Sequence, residues 1–178
     1  MVAKNFQTAL DKTLSYEGGW SDHPDDPGGA TMKGITLSTY SAFLGRKASK
    51  DDLKNISNDD IRNIYQKNYW DKVSGDNLPN AMDVCVFDFA VNSGPSRAIR
   101  LLQGLSGATT DGIIGPKTVA AAREWVLAHG CETCIYDYQQ SRLHYLQALP
   151  TFIVFGRGWT RRVDDLEQFA IGLCHKNR

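Results

Sequence analysis

Apolar residues recur along most of this chain at three- and four-residue intervals, the spacing of one face of an α-helix. In NFQTALDKTLSYE they are Phe6, Ala9, Leu10 and Leu14, and Gly18-Gly19 ends that helix. From there to about Gly34 the periodicity collapses. Gly, Pro and Asp dominate, which predicts a long loop or a small irregular hairpin lobe. TLSTYSAFLG predicts a short helix. SNDDIRNIYQKNYW predicts another, opened by a capping box from Ser57 to Asp60, with Ile61, Ile64, Tyr65 and Tyr69 at helical spacing. Pro79 suits the first turn of the next helix, NAMDVCVFDFAVN, whose nearly continuous apolar run belongs at the centre of a fold. Ser93-Gly94-Pro95 breaks it, SRAIRLLQGL resumes as helix, and TTDGIIGP is a turn-rich link. Pro116 starts a helix that runs to Gly130, and further helices are predicted over about 131–148 and 160–174. The fold class is mostly α, with a small irregular or β-hairpin lobe after the first helix. The one candidate division falls near residue 106, giving regions 1–105 and 106–178 packed together as one compact unit.

Composition narrows the function classes. With 178 residues and 42% apolar content, the chain can bury a real core. Twenty basic and 20 acidic side chains balance, so the basic surplus of a nucleic-acid binder is missing. The last stretch is locally basic (Arg157, Arg161, Arg162, Lys176, Arg178) but also holds Asp164, Asp165 and Glu167, as a solvated helix face does. No stretch is long and apolar enough for a stable membrane insertion. The opening MVAKNFQTALDKTL lacks the apolar run of a signal peptide, so the chain is expected to be made in the cytoplasm and to reach any external site by another route.

There are four cysteines: Cys85, Cys131, Cys134 and Cys174. Cys131 and Cys134 have CxxC spacing, but no second CxxC or His pair completes a zinc site, so no metal or other cofactor is expected. Thiols packed on helices are the simpler reading, and cytoplasmic synthesis weighs against disulfides.

One carboxylate stands apart. Glu17 lies three residues after Leu14 and seven after Leu10, on the apolar side of the first helix at its last turn. Partial burial and the negative end of the helix dipole both disfavour the charged form there, which suits a proton donor. If the helix simply ends there, Glu17 points into water. The following SDHPDDPGGATMKGIT supplies Asp22, His23, Asp25, Asp26 and Thr31 in a segment stiffened by Pro27, while Gly28-Gly29 admits close approach of backbone to a ligand. A second carboxylate opposite a buried acid is what glycoside hydrolysis requires. His23 is a candidate for contact with substrate, as a base, or as a ligand; a lone His in a polar loop also commonly does nothing more than stay solvated.

YEGGW followed by DHPDDPGGATMKGIT closely resembles the signature of glycoside hydrolase family 108 muramidases, a group of phage endolysins and secretion-associated bacterial proteins. The resemblance continues through IYQKNYWDKV, FDFAVNSGPSRAIRLLQ and DGIIGPKT, to about residue 125, with a weaker echo in GRGWTRRV. It implies a lysozyme-like, α-rich fold of two lobes with a cleft, and makes Glu17 the catalytic acid. DGIIGPKT is similar to a segment described in that family as a predicted peptidoglycan-binding region. A looser likeness to phage-type lysozymes, in the order Glu, Asp, Thr, assigns Asp26 as second carboxylate and Thr31 as the holder of the attacking water. The gap from Asp26 to Thr31 is one residue short of that pattern, so Asp25 and Asp22 remain rivals.

The substrate implied is the glycan strand of peptidoglycan, and the bond the β-1,4 link from N-acetylmuramic acid to N-acetylglucosamine. Sugar rings stack on aromatic faces, so Trp20, Tyr69 and Trp70 are candidates for substrate binding, with Trp159 behind them. Asn92, beside a helix break, is placed to bond an N-acetyl group, or else to cap the helix. A monomer that reaches the wall through a holin or another export system, to act in the periplasm, is expected. The rival readings are a lytic transglycosylase, a non-catalytic wall-binding module, and a zinc amidase using His23 and the cysteines.

Overall fold

The computed structural model describes residues 5–176, so Arg178 of the basic stretch lies outside the described residues. Among the described residues the chain forms two compact units: residues 10–68, and residues 5–9 together with 69–176. The break near residue 106 suggested by sequence is not where the chain divides, because the helices on either side of it share one unit.

Helix α1 (Phe6–Leu14) buries Phe6, Ala9 and Leu10, the face its spacing predicts. It ends three residues before Glu17, earlier than the sequence suggests. Its last carbonyls are taken up by tightened i to i+3 bonds, Tyr16 N–H to Thr13 O at 3.0 Å and Glu17 N–H to Leu14 O at 3.2 Å. Glu17 therefore sits on a turn just beyond the helix.

The Gly/Pro/Asp-rich segment is a three-stranded antiparallel sheet with order β1-β2-β3, made of β1 (Trp20–Ser21), β2 (Thr31–Met32) and β3 (Ile35–Thr36). Trp20 pairs with Met32, and Met32 with Ile35. Lys33 and Gly34 form the two-residue loop between β2 and β3, with φ of 48° and 78°. Both values are positive, as the twist of a tight hairpin demands. Three helices follow in this unit: α2 (Leu37–Leu44), α3 (Lys50–Lys54) and α4 (Asn58–Tyr65). Each starts at a hydroxyl cap: Thr36, Ser49 and Ser57 accept from the backbone N–H three residues on. At Ser57 the Asp60 carboxylate also accepts from the Tyr40 hydroxyl, at 3.0 Å. Ile35, Tyr40, Leu53, Ile56, Ile61, Ile64 and Tyr65 are among the buried apolar residues of this unit.

After α4 the chain makes a π-helical turn, Gln66–Trp70. In the other unit, Trp70 packs in an aromatic cluster with Phe6 (ring centroids 5.3 Å) and Phe87 (5.5 Å), and its Nε1–H donates to Asp76 at 3.0 Å. Helix α5 (Met82–Ser93) is the centre of that unit, with every residue from Met82 to Ala90 buried. It begins after Pro79 rather than with it. Helices α6 (Pro95–Ser106) and α7 (Pro116–His129) each carry proline at the first position. Helix α8 (Cys131–Gln147) turns through residues 148–151 into α9 (Phe152–Lys176), which is longer than the pattern predicts.

A disulfide joins Cys131 at the start of α8 to Cys174 near the end of α9, so the two helices run antiparallel. This corrects the expectation of four thiols: only Cys85 and Cys134 are free, both buried. The CxxC is not a dithiol, because Cys131 is committed to a partner 43 residues away.

Two carboxylates lie fully buried in α5. Asp88 is held by two guanidiniums, those of Arg142 (2.9 Å) and Arg162 (2.9 Å). Asp83 accepts from the Asn5 amide at 3.0 and 3.2 Å.

Candidate active site

The Glu17 carboxyl is half-buried and reaches the Lys33–Gly34 turn. A Cβ built on Gly34 would lie 2.9 Å from Glu17 Oε2 and 2.7 Å from the Tyr65 hydroxyl oxygen. Acid, phenol and turn thus meet at one point, and only a residue without a side chain fits there. The same Tyr65 hydroxyl donates to the Lys33 carbonyl at 2.6 Å, tying the end of α4 to the turn. Glu17 therefore lies against a turn that is itself tied to an element distant in sequence, the C-terminus of α4. Tyr65 and Gly34 are site residues that sequence reasoning missed. Tyr65 reads as one more apolar-face residue of α4, and the Lys-Gly dipeptide as part of a loop.

The other candidates of this unit spread along the hairpin. Trp20 is half-exposed on β1, with the Lys54 ammonium 5.7 Å from its ring centroid. Its ring is thus a partly open platform carrying a cation at its face. Thr31 is half-buried on β2, paired in register with Ser21. Asp26 is exposed on the loop between β1 and β2, where its Oδ1 accepts from Gly28 N–H at 2.8 Å, an Asx turn. His23 is exposed as well, its Nδ1 accepting from Asp25 N–H at 3.2 Å. Asp25 stands in solvent with 91% of its side chain exposed, whereas Asp22 pairs with Lys50 at 2.9 Å. Of the three aspartates, Asp22 is neutralised by an ion pair and Asp26 is oriented by its own loop.

Tyr69, Trp70 and Asn92 belong to the other unit. Trp70 has no exposed surface: its ring is covered by Phe6, Phe87 and Gly75, where a Cβ would collide with the indole. It is a core residue and offers no face for a sugar, contrary to the sequence expectation. Tyr69, its neighbour in the π-helical turn, is half-exposed. Asn92 is half-exposed at the penultimate position of α5, where Gly94 is the cap. Its Oδ1 accepts from Ser93 Oγ at 3.3 Å and from Arg142 Nη2 at 3.4 Å, leaving its amide NH2 directed elsewhere. Trp159, the weakest of the aromatic candidates, packs on Phe155 and Phe152 at the start of α9.

The DGIIGPKT segment is an ordered loop built around one buried side chain. Gln103 Nε2–H donates to Asp111 Oδ1 (2.9 Å), Ile113 O (3.0 Å) and Thr118 Oγ1 (3.1 Å), while its Oε1 accepts from Gly112 N–H at 2.9 Å. Beside it lies a surface hollow of about 760 Å³ lined by Thr109, Asp111, Ile113, Pro116 and Lys117 among others.

The sequence profile described as Glycosyl hydrolase 108 matches residues 10–94. A solved structure, described as that of Brucella abortus SagA, is 44% identical to this chain, covers 96% of each of the two chains and superposes with a TM-score of 0.84. Among curated proteins there is no match.

Proposed function

Because the chain belongs to the glycosyl hydrolase 108 family, whose activity is degradation of peptidoglycan by glycosidases, we propose that it is an N-acetylmuramidase with Glu17 as its proton donor. The bond cleaved is the β-1,4 link from N-acetylmuramic acid to N-acetylglucosamine. The observation that carries this reading is the placing of one half-exposed carboxyl, Glu17, against a glycine turn that a buried phenol ties down. A general acid must be held in one place yet remain reachable, and this arrangement supplies both.

Glu17 protonates the leaving oxygen as the glycosidic bond breaks. A water activated by Asp26 and oriented by the Thr31 hydroxyl adds to the anomeric carbon, and the proton it sheds passes to the carboxylate. Trp20, three residues after the acid, provides an aromatic face with Lys54 at its ring. His23, Tyr69 and Asn92 contact the sugars and their N-acetyl groups. The hollow beside the Gln103-clamped loop receives a further stretch of wall polymer.

We assign the protein the role of a phage endolysin: a monomer made in the host cytoplasm, released by a holin or another export system and active in the periplasm. The Cys131–Cys174 bridge supports a working place outside the reducing cytoplasm.

The test is digestion of purified peptidoglycan, with products read by mass spectrometry. Wild type yields hydrated reducing ends at N-acetylmuramic acid. Glu17→Gln loses activity by at least ~100-fold, the scale of one general acid, with its melting temperature unchanged. An anhydro-sugar product overturns hydrolysis in favour of transglycosylation, and a fully active Glu17→Gln overturns the assignment of the acid.

A further inference from the structure

Helix α9 begins with Phe152, Ile153, Val154 and Phe155, an apolar run that the core does not use. Ile153 is 94% exposed, Val154 73% and Phe155 53%. Ordinary surfaces carry single exposed apolar residues; three consecutive ones at the tip of a helix are a patch. The tip is ordered: the Phe152 ring lies over Gly156, where a Cβ would come within 2.7 Å of it, and Phe152 and Phe155 both pack on Trp159.

Along the chain, the charges that follow the patch as far as Asp164 have one sign. Ile153, Arg157 and Arg161 follow one another at i, i+4 and i+8, so they share a face of α9. Together with Phe152, Gly156 and Thr160 they line a shallow groove of about 590 Å³. Arg157 and Arg161 are both exposed. No acidic residue occurs between Asp137 and Asp164, and Asp164 lies two turns beyond Arg157. An exposed apolar tip, an aromatic pair and a row of arginines one and two turns behind it make up the chemistry of a segment that sinks into the headgroup boundary of an anionic bilayer. No helix among the described residues is long and apolar enough to cross a membrane, so the contact is with the surface.

We propose that the start of α9 docks the protein on the anionic face of a phospholipid bilayer, with Ile153, Val154 and Phe155 entering the acyl boundary and Arg157 and Arg161 meeting lipid phosphates. This surface contains none of the residues assigned to glycan cleavage, and the proposal stands whether or not Glu17 is the acid.

Co-sedimentation of the full-length chain with vesicles tests it. Binding is expected to vesicles of phosphatidylglycerol mixed with phosphatidylcholine, to be at least about tenfold weaker on phosphatidylcholine alone, and to fall as salt rises. The double variant Ile153→Asp with Phe155→Asp, and separately Arg157→Glu with Arg161→Glu, should each lower binding by about tenfold or more. Leu127→Asp, an equally exposed apolar position on α7 (85%), should leave binding unchanged. Brominated lipid should quench tryptophan emission of the wild type, a readout that needs no variant. Absence of binding, equal binding to both vesicle types, or equal loss in the Leu127 variant overturns the proposal. So does a dimer in vesicle-free solution that Ile153→Asp dissolves, because the occupant of the patch is then a second copy of the chain.

Discussion

Glu17 and Tyr65 converge on Gly34: the carboxyl and the phenol lie 2.9 and 2.7 Å from the place a Gly34 side chain would occupy. Forty-eight positions separate the two in sequence, yet the tight turn brings them to one point. The chemistry assigned to Glu17 depends on a residue that has no functional group at all.

Gly34→Ala should therefore damage activity more than a methyl group suggests. The left-handed φ of 78° alone costs ~1–2 kcal/mol for a side-chain-bearing residue. The new Cβ must also displace Glu17, Tyr65 or both. The expected outcome is a lower melting temperature and a wall-digestion rate down by at least ~100-fold, the penalty for a misplaced catalytic group. Turbidity assays on outer-membrane-stripped cells, run beside calorimetry, check it. Near-normal activity would show that the acid does not depend on the turn.

Tyr65→Phe removes the hydroxyl that donates to the Lys33 carbonyl at 2.6 Å and leaves the ring in place. The stability loss should be about 1 kcal/mol, that of one buried hydrogen bond. The digestion rate should fall further than so small a loss explains, because the turn under Glu17 is released. Denaturant titration and a rate measurement on the same preparation separate the two effects.

Asp83 makes stability depend on pH. Burial pushes its carboxyl up from 3.8 to about 7, against hydrogen bonds from Val84 N–H and the Asn5 amide that pull the other way. Between those values the folded chain binds a proton that the unfolded chain has released. Stability therefore falls as pH rises from about 4 to about 7 and levels off above that. The contribution of this group across the window is on the order of 4 kcal/mol. Asp83→Asn should flatten that part of the profile and be the more stable protein at pH near 8. Urea midpoints measured for both chains across the range decide it; parallel profiles would refute the assignment.

Asp88 neutralises a guanidinium that has no exposed surface, and Arg142 Nε and Nη1 have no hydrogen-bond partner of their own. Asp88→Asn should cost ~3–5 kcal/mol, because Arg142 is left as an uncompensated charge beside the Phe89 ring. Adding Arg142→Met to that variant should recover part of the loss, a non-additivity that a double-mutant cycle reads directly.

Much of the helical layout was legible in advance, and the exceptions have physical causes. The apolar run of α5 could only be a buried helix, and Pro116 and Ser57 marked helix starts by their own stereochemistry. The beginning of α9 was hidden because Ile153 and Val154 face solvent, so the apolar period there does not describe a core-facing stripe. Trp70 was misread because the π-helical turn inserts an extra residue per turn and brings the ring inward, next to Phe6. The cysteine pairing spans 43 positions, and spacing alone cannot reveal such a partner. At the site, the EGG segment marked Glu17, but Tyr65 and Gly34 matter through proximity that only the folded hairpin creates. The choice among Asp22, Asp25 and Asp26 was open in sequence because all three sit in one polar loop; the fold distinguishes them by their partners, Lys50 for Asp22 and Gly28 for Asp26.

The bridge between Cys131 and Cys174 encloses the exposed turn at 148–151 and the apolar tip behind it. A protease that clips the backbone there opens a ring and frees no fragment, so α9 stays attached to α8 by sulfur after the peptide is cut. Such a nick is survivable damage: one band of about 19.8 kDa without reductant, two with it.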